Sequence, residues 1–468
     1  MRATTKLIRS KYFFLFVPLF AYRLFGIASN SNFEKGLNST ASDLIKMFGG
    51  SDMGSYLVLA RDLSNLSISP ENIWILNLWP PGQAILETIS ILTGPLFVFT
   101  YVAITSFALV LPSLILWDYH DSREKFVIKF VPKIAAILWL ISPLVFEYSI
   151  SDSGLFGADL QGIALLSSSY LLFEKAIRES DEKSAIRYGL LAGALLGSAL
   201  YFRWAFILIL LPTLLLLTLS FLVSSRAVKP PYLQKKPFST FVHSNPATYK
   251  WILISTALTV LPWTLVAIIV LHPFNPTWSM SDYIWAQRWL FDSDLISQGG
   301  KWAVDGGLNW GCNLAGPKEC SEFRKIALAN DPGTYGFLRN AALNLAATNP
   351  TDFFAVRFGN ISNYWYQPMG ASGSVIGNFL LASTTIFALI TSLLMFILHK
   401  DRARAIRHIL ISVLLFTAPL LEHWEGRYFF PMMSIAFFYL SIQTGSTISA
   451  LQSKHLSITK SDDEKLKK

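Results

Sequence analysis

Carboxylates and arginines occur in four short, separated stretches of the sequence. They are "SDMGSYLVLARDL" (51–63), "EYSISDSGLFGAD" (147–159), "LYFRWAF" (200–206) and "LEHWEGRYFFP" (421–431). A carboxylate within hydrogen-bond reach of a hydroxyl group can take its proton, and a guanidinium group can hold a phosphate with paired hydrogen bonds. These residue types therefore suit the attack of an activated hydroxyl group on a bond whose leaving group is a phosphate.

The composition around these stretches indicates a membrane protein. Of 468 residues, 52% are hydrophobic and 15% are charged, whereas a soluble domain carries about 25% charged residues. Apolar runs long enough for a spanning helix, about 20 residues, recur along the chain. We predict an all-α polytopic fold with about ten transmembrane helices, at 12–28, 96–117, 134–148, 155–173, 188–202, 204–222, 251–271, 375–398, 408–421 and 428–446.

The basic residues orient these helices. The run at 12–28 is interrupted by Arg23 and lacks a small-residue cleavage pattern after it, so we predict a retained span rather than a signal peptide. With both termini in the cytoplasm, the short exterior connections are almost free of basic residues, as the positive-inside rule requires. The net charge of +9 is then explained by topology and anionic lipids, not by nucleic acid. The cytoplasmic loops then hold Arg123, Lys125, Lys129, Lys175, Arg178, Lys183, Arg187, Arg226, Lys229, Lys235, Lys236, Lys400, Arg402, Arg404 and Arg407.

Two exterior segments are long, at 29–82 and 272–373. An apolar helix at 85–93 is too short to span and is stopped by Gly94-Pro95. We place it at the exterior membrane surface, together with the amphipathic helix that follows Asp52. The predicted organisation is an N-terminal transmembrane module (1–271) containing the first exterior loop, an aromatic-rich exterior cap (272–373), C-terminal transmembrane helices (374–446) and a cytoplasmic tail (447–468). Cys312 and Cys320, both in the cap, either form a disulfide or remain free thiols.

The four stretches, together with "WPPG" at 79–82, resemble the GT-C superfamily of membrane glycosyltransferases. The likeness is closest to the protein O-mannosyltransferase and aminoarabinose-transferase branch. "SDMGSYLVLARDL" is similar to its D-x-x-x-Y-x-x-x-A-R-x-L segment, and "EGRYFFP" to its late R-Y-x-x-P turn. "SDSGLF" resembles the acid of the second loop, and "ALYFRWAFIL" the hairpin with an arginine at its tip. The likeness covers roughly residues 10–225 and 408–446 and leaves the central region unmatched.

The resemblance implies transfer of one sugar from a polyprenyl-phosphate carrier to an acceptor (protein, lipid or glycan) on the exterior face, with inversion. Asp52 occupies the position of the general base, and Trp79, Pro80 and Pro81 form a stiff turn near it. The residues that the resemblance assigns to substrate or donor binding are Asp152, Tyr56, Arg61, Arg203, Glu422, Glu425, Arg427 and Tyr428.

Each assignment has a structural alternative. Asp52 could cap a helix at 54–63, and Asp152 could cap the span that starts near Leu155. Arg61 could contact lipid headgroups, and Arg203 could anchor a hairpin at the membrane interface. Arg427 could form a salt bridge with Glu422 or Glu425.

Other functional classes remain open at this stage. A transporter or flippase for a lipid or sugar is one alternative, and a scaffold or a different lipid-using enzyme is another. The predicted span centres hold few ionisable residues, whereas transport paths usually carry them. No phosphate-binding glycine motif for a nucleotide donor is present. No cofactor is assigned, and a divalent metal is possible but not indicated.

Overall fold

The computed structural model describes residues 2–30, 33, 35–49, 52–69, 72, 75–76, 80–119, 130–179, 181–203, 206, 246–270, 347–348, 350–351, 374–397, 402–421 and 429–444. All regular structure within these ranges is helical. The helices are α1 (Arg2–Ser29), α2 (Ala41–Met47), α3 (Asp52–Ser64), α4 (Gly82–Ile91), α5 (Phe97–Trp117), α6 (Phe130–Leu140), α7 (Pro143–Phe146), α8 (Asp152–Phe156), α9 (Asp159–Arg178), α10 (Glu182–Leu200), α11 (Pro246–Val270), α12 (Val375–Ile397), α13 (Arg402–Leu421) and α14 (Phe430–Thr444).

Four helical segments in the described ranges are long and apolar enough to cross a bilayer. They are Tyr12–Ser29, Gly94–Trp117, Thr248–Val266 and Val375–Ile397. One side of α12 leaves Phe379 and Phe387 more than 60% exposed, which suits contact with lipid and not with water. These helices indicate a membrane protein. The number of ten spans, the location of the termini and the cap at 272–373 stay predictions, and the cap lies almost entirely outside the described residues.

Several predicted spans are interrupted or begin elsewhere. The predicted helix at 134–148 is broken between α6 and α7, because Pro143 disfavours a helical conformation at Ser142, which is extended. The predicted helix at 155–173 is likewise divided, since Gly157 is extended and separates α8 from α9. The short helix placed at the membrane surface, α4, ends at Ile91, and Gly94 follows it with a φ of +61°.

The connection between α12 and α13 is shorter than the sequence predicted. Helix α13 begins at Arg402, six residues before the predicted span at 408. Arg404 and Arg407, which we had counted as cytoplasmic loop residues, lie in this helix and are buried. The charge count alone could not find this, because it records where a residue stands in the sequence and not what surrounds it.

Helices α10 and α11 pack closely along a face of α10 without side chains. Gly189, Gly193 and Gly197 recur every four residues and therefore lie on one face. A Cβ atom at Gly193 would overlap the carbonyl oxygen of Ile252, and one at Gly197 would lie 2.6 Å from Cβ of Thr259. Small residues at this spacing are typical of close helix packing in membranes.

Hydroxyl groups of α11 add hydrogen bonds to the same contact. Ser255 Oγ donates to the carbonyl oxygen of Leu190 at 2.7 Å, and Thr256 Oγ1 donates to that of Gly193 at 3.1 Å. The contact therefore fixes α10 both laterally and along its axis. The turn at 201–203 that follows α10 is positioned by the same contact.

We expect Gly193→Ala to destabilise the folded protein, because the added methyl group has no space beside the backbone of α11. Overpacking of this kind costs about 1–3 kcal/mol. The measurement is the thermal unfolding midpoint of the purified protein in detergent. Leu191→Ala, two residues away on the exposed side of α10, is the control and should change the midpoint little. Equal midpoints for Gly193→Ala and wild type would contradict the packing argument.

Candidate functional site

Aromatic rings join the segment between α1 and α3 to the stretch that begins at Asp152. The ring of Phe156, at the end of α8, lies 5.8 Å from that of Phe48, which follows α2, and 4.9 Å from that of Tyr101 on α5. Leu57 of α3 belongs to the same buried cluster. The helices that begin at Asp52 and at Asp152 thus share one hydrophobic core, although a hundred residues separate them in the sequence.

The turn before α4 packs against the turn at 201–203 that follows α10. The backbone N–H of Gly82 donates to the carbonyl oxygen of Tyr201 at 2.7 Å, and a Cβ at Gly82 would lie 2.5 Å from that oxygen. Only glycine allows the two backbones to come this close. Next to this contact, Tyr56 of α3 packs in a buried cluster with Phe202 and Ala158. Three of the sequence stretches with acids and arginines therefore meet here.

Arg203, in the turn that follows α10, forms an ion pair with Asp159, the first residue of α9. Its Nε donates to Oδ1 of Asp159 at 2.6 Å, and its Nη2 contacts the same oxygen. The side chains are only 14% and 6% exposed, respectively, so water screens the pair weakly. Asp159 was not among the predicted site residues. Because the pairing depends on a contact across the fold, the sequence could not specify it.

Asp52 and Asp152 each stand as the first residue of a helix, α3 and α8. The residue that caps α8 is Ser151, whose Oγ accepts a hydrogen bond from the N–H of Gly154 at 3.1 Å. The alternative in which Asp152 is the cap is therefore wrong. The alternative for Asp52 was a cap before a helix at 54–63. The helix begins at Asp52 itself, so Asp52 is its first residue and does not precede it. Carboxylates in a first helical turn are favoured by the positive end of the helix dipole.

Gly54 fixes the start of α3 against the end of α2. A Cβ at Gly54 would overlap the carbonyl oxygen of Phe48, so the chain passes from one helix to the next at backbone contact. Helix α2 is itself begun by a capping box, in which Thr40 Oγ1 accepts from the N–H of Asp43 and Asp43 Oδ2 accepts from that of Thr40. The first turn of α3, which includes the backbone of Asp52, thus lies against the C-terminal end of α2.

The remaining predicted residues have different outcomes. Tyr56 is buried and Arg61, five residues later, is exposed, so the two side chains do not share a face of α3. Pro80 and Pro81 are buried beside the turn. The predicted residues that lie outside the described ranges are Trp79, Cys312, Cys320, Glu422, Glu425, Arg427 and Tyr428.

A buried polar network around Gln83 was missed in the sequence. Gln83 Nε2 donates to Glu87 Oε1 at 2.8 Å, to the hydroxyl oxygen of Tyr101 at 2.7 Å and to the carbonyl oxygen of Phe156 at 3.0 Å. Nε2 of Gln161 on α9 also donates to Tyr101, at 3.3 Å. The signal was available, because two polar residues four positions apart in an apolar run lie on one helix face.

A second buried polar cluster lies between α9, α13 and α14. Arg407 Nε and Nη2 donate to the two carboxylate oxygens of Glu174, each at 2.8 Å. Arg404 Nε lies 3.5 Å from the same carboxylate, and its Nη1 donates to Gln443 Oε1 at 2.9 Å. Glu174 follows the predicted span at 155–173 and both arginines precede the predicted span at 408–421, so the sequence analysis did not bring these charges together. Because Arg407 and Glu174 form a bidentate pair, the cluster joins helices that are far apart in the sequence.

No group of three or more His, Cys, Asp or Glu side chains suited to a metal ion occurs among the described residues. Comparisons of the chain with protein-family models, with curated proteins and with solved structures find no match.

The ion pair between Asp159 and Arg203 predicts a specific pattern of stability. Asp159→Asn or Arg203→Met alone leaves a charge in a poorly hydrated place, which costs about 3 kcal/mol for a well-buried pair. The double variant removes both charges, so we expect it to be less destabilised than the sum of the single variants. The free energy of unfolding in detergent is measured for wild type, the two single variants and the double variant. Strictly additive losses of this free energy would show that the two side chains are not coupled.

Proposed function

We propose that this protein is a membrane glycosyltransferase that moves one sugar from a polyprenyl-phosphate carrier to an acceptor hydroxyl group on the exterior face. The proposal includes the predicted ten-span topology, with both termini in the cytoplasm. The acceptor class, whether protein, lipid or glycan, is left open. A direct test incubates the purified protein with a short-chain polyprenyl-phosphate sugar and measures the release of polyprenyl phosphate.

One observation carries the proposal. Gly82 of the "WPPG" turn is in backbone contact with Tyr201 of the "LYFRW" tip, beside Tyr56 of the helix that begins at Asp52. The stretches that resemble glycosyltransferase motifs are thus neighbours in the fold as well as ordered in the sequence. The Phe48–Phe156 contact adds the stretch that contains Asp152. A likeness produced by chance would give no reason for these segments to meet.

The proposed reaction is a single in-line displacement. The carboxylate of Asp52 takes the proton of the acceptor hydroxyl group, and the hydroxyl oxygen forms a bond to the anomeric carbon as the bond to the phosphate oxygen breaks. The polyprenyl phosphate leaves with the bonding electron pair. Because no sugar becomes attached to the enzyme, the anomeric configuration is inverted. Arg427 is proposed to stabilise the negative charge of the departing phosphate.

We expect Asp52→Asn to abolish transfer while folding and donor binding persist. Asn retains the size of Asp and its ability to cap or begin a helix, but its amide cannot take a proton at neutral pH. The rate of transfer should fall by at least about 10²–10⁴-fold, which is the contribution of general-base catalysis. Transfer to acceptor and binding of the donor lipid are measured side by side.

Asp181→Asn is the matched control for a carboxylate that only caps a helix. Asp181 accepts a hydrogen bond from the N–H of Ser184 at 2.9 Å at the start of α10, so its replacement should leave transfer unchanged. Near-normal transfer by Asp52→Asn would refute its role as the base, and Asp152 would become the leading candidate.

We expect Arg427→Ala to weaken the use of the donor lipid by roughly ten- to hundred-fold, the effect of losing one charged hydrogen-bond partner. The variant is compared with Arg61→Ala, which removes an exposed arginine from α3. Turnover is measured against donor concentration at saturating acceptor. If Arg427→Ala is normal and Arg61→Ala is impaired, the phosphate is held by α3 instead.

A further inference from the structure

Gln83 connects the helix that follows the "WPPG" turn to two neighbouring elements. Its Nε2, which carries two hydrogens, lies within hydrogen-bond distance of three acceptors: Glu87 on its own helix α4, Tyr101 on α5 and the carbonyl oxygen of Phe156 at the end of α8. Gln161 of α9 reaches the same Tyr101 hydroxyl group. Because all four side chains are buried, these bonds hold α4 against α5 and α8 without competition from water.

Glu87 is the carboxylic acid of this network, and its side chain is fully buried. Within the ranges that the structure describes, Gln83 is its one hydrogen-bond donor, and Oε2 has no hydrogen-bond partner. An ionised carboxylate can accept about four hydrogen bonds, so a single amide compensates little of its lost hydration. Burial therefore raises the pKa of Glu87 well above its ordinary value, with the Gln83 hydrogen bond opposing this only in part.

The charged and titratable groups on the surrounding helices make their hydrogen bonds to residues other than Glu87, and Arg23 Nη2 makes none within the described residues. Arg23 of α1 donates from Nη1 to Thr105 Oγ1 at 2.6 Å and to Ser106 Oγ at 3.2 Å. Asp62 of α3 accepts from Asn72 Nδ2 at 2.8 Å and from the N–H of Ser69, and Asp159 of α9 is paired with Arg203. Tyr101 of α5 accepts hydrogen bonds from the two glutamine side chains.

We propose that Gln83 and Glu87 are a positioning pair that holds α4 in place against α5 and α8 only while the Glu87 carboxyl group carries its proton. Loss of this proton places an uncompensated charge in the core and displaces α4. The "WPPG" turn, which begins the same helix and contacts Tyr201, moves with it. The consequence for sugar transfer rests on the proposed function, whereas the displacement of α4 does not.

The first test compares the thermal unfolding midpoints of wild type and Glu87→Gln in detergent between pH 5 and pH 9. The folded protein retains a proton that the unfolded chain releases above a pKa of about 4.3. Wild-type stability is therefore lost as the pH rises from this value toward the raised pKa of the folded state. Gln is neutral at every pH, so the midpoint of wild type should fall below that of the variant by on the order of 2 °C per pH unit.

Glu182→Gln, at an exposed acid in the first turn of α10, is the matched control and should give a constant difference from wild type. A constant difference for Glu87→Gln as well would overturn the proposal. So would a variant that is less stable than wild type throughout the pH range.

The second test measures the position of α4 without using any reaction. Oγ1 of Thr93, just after α4, lies 3.0 Å from Oγ1 of Thr100 on α5, so Thr93→Cys with Thr100→Cys should form a disulfide when Cys312 and Cys320 are replaced by Ser. At pH 9 the yield should be several-fold lower with Glu87 than with Glu87→Gln, and Gln83→Leu should lower it at every pH. Equal yields in all three backgrounds would overturn the positioning role. Transfer assays on the same pH series then show whether the displacement also stops the proposed reaction.

Discussion

The absence of side chains along one face of α10 is the constraint on which the arrangement of this protein depends. Because Gly193 lies against the backbone of α11, the end of α10 is fixed relative to that helix, and Tyr201 is fixed further by its hydroxyl group, which donates to the carbonyl oxygen of Thr259 at 3.0 Å. The carbonyl oxygen of Tyr201 in turn accepts a hydrogen bond from the backbone N–H of Gly82, at the start of α4. A helix contact inside the bundle thus determines where a loop at its end must lie. Such close contacts are effective in a membrane, where dispersion forces replace much of the hydrophobic effect between helices.

Two buried acids of α9 form ion pairs with arginines from segments that are distant in the sequence. The Asp159–Arg203 pair holds the turn at 201–203 against α9. The Glu174–Arg407 pair holds α13 against the same helix further along. Each pair reduces the cost of desolvating its partners, which is high at low dielectric constant. Helix α9 therefore bears an acid near each end, and both acids hold arginines from other segments. The same helix also contributes Ser167 to a hydroxyl contact with Ser434 of α14, so it acts as the common support of the described bundle.

The sequence predicted those features that depend on local composition. The spans at 96–117 and 375–398 match α5 and α12 to within one residue, because a long apolar run has one stable conformation in lipid. The breaks at Pro143 and Gly157 do not follow from residue type alone, because Pro112 and Pro262 lie inside uninterrupted helices. The pairing of Arg203 with Asp159 and of Gln83 with the carbonyl oxygen of Phe156 could not be predicted either, because these partners lie tens of residues away in the sequence. For the candidate site, the sequence predicted which stretches matter, and the structure shows how three of them pack; the roles of Asp52 and Arg427 are still predictions.

The buried arginines of α13 have a consequence for the order in which the protein assembles. Arg407 finds its carboxylate partner 233 residues earlier in the chain, on a helix synthesised long before α13 leaves the ribosome. A buried ion pair that loses one partner leaves an uncompensated charge, which costs about 3–5 kcal/mol. Helix α13 therefore gains stability by docking onto helices that already present Glu174. The C-terminal helices complete the bundle last, and a chain truncated before them would carry a buried acid with no cation to meet it.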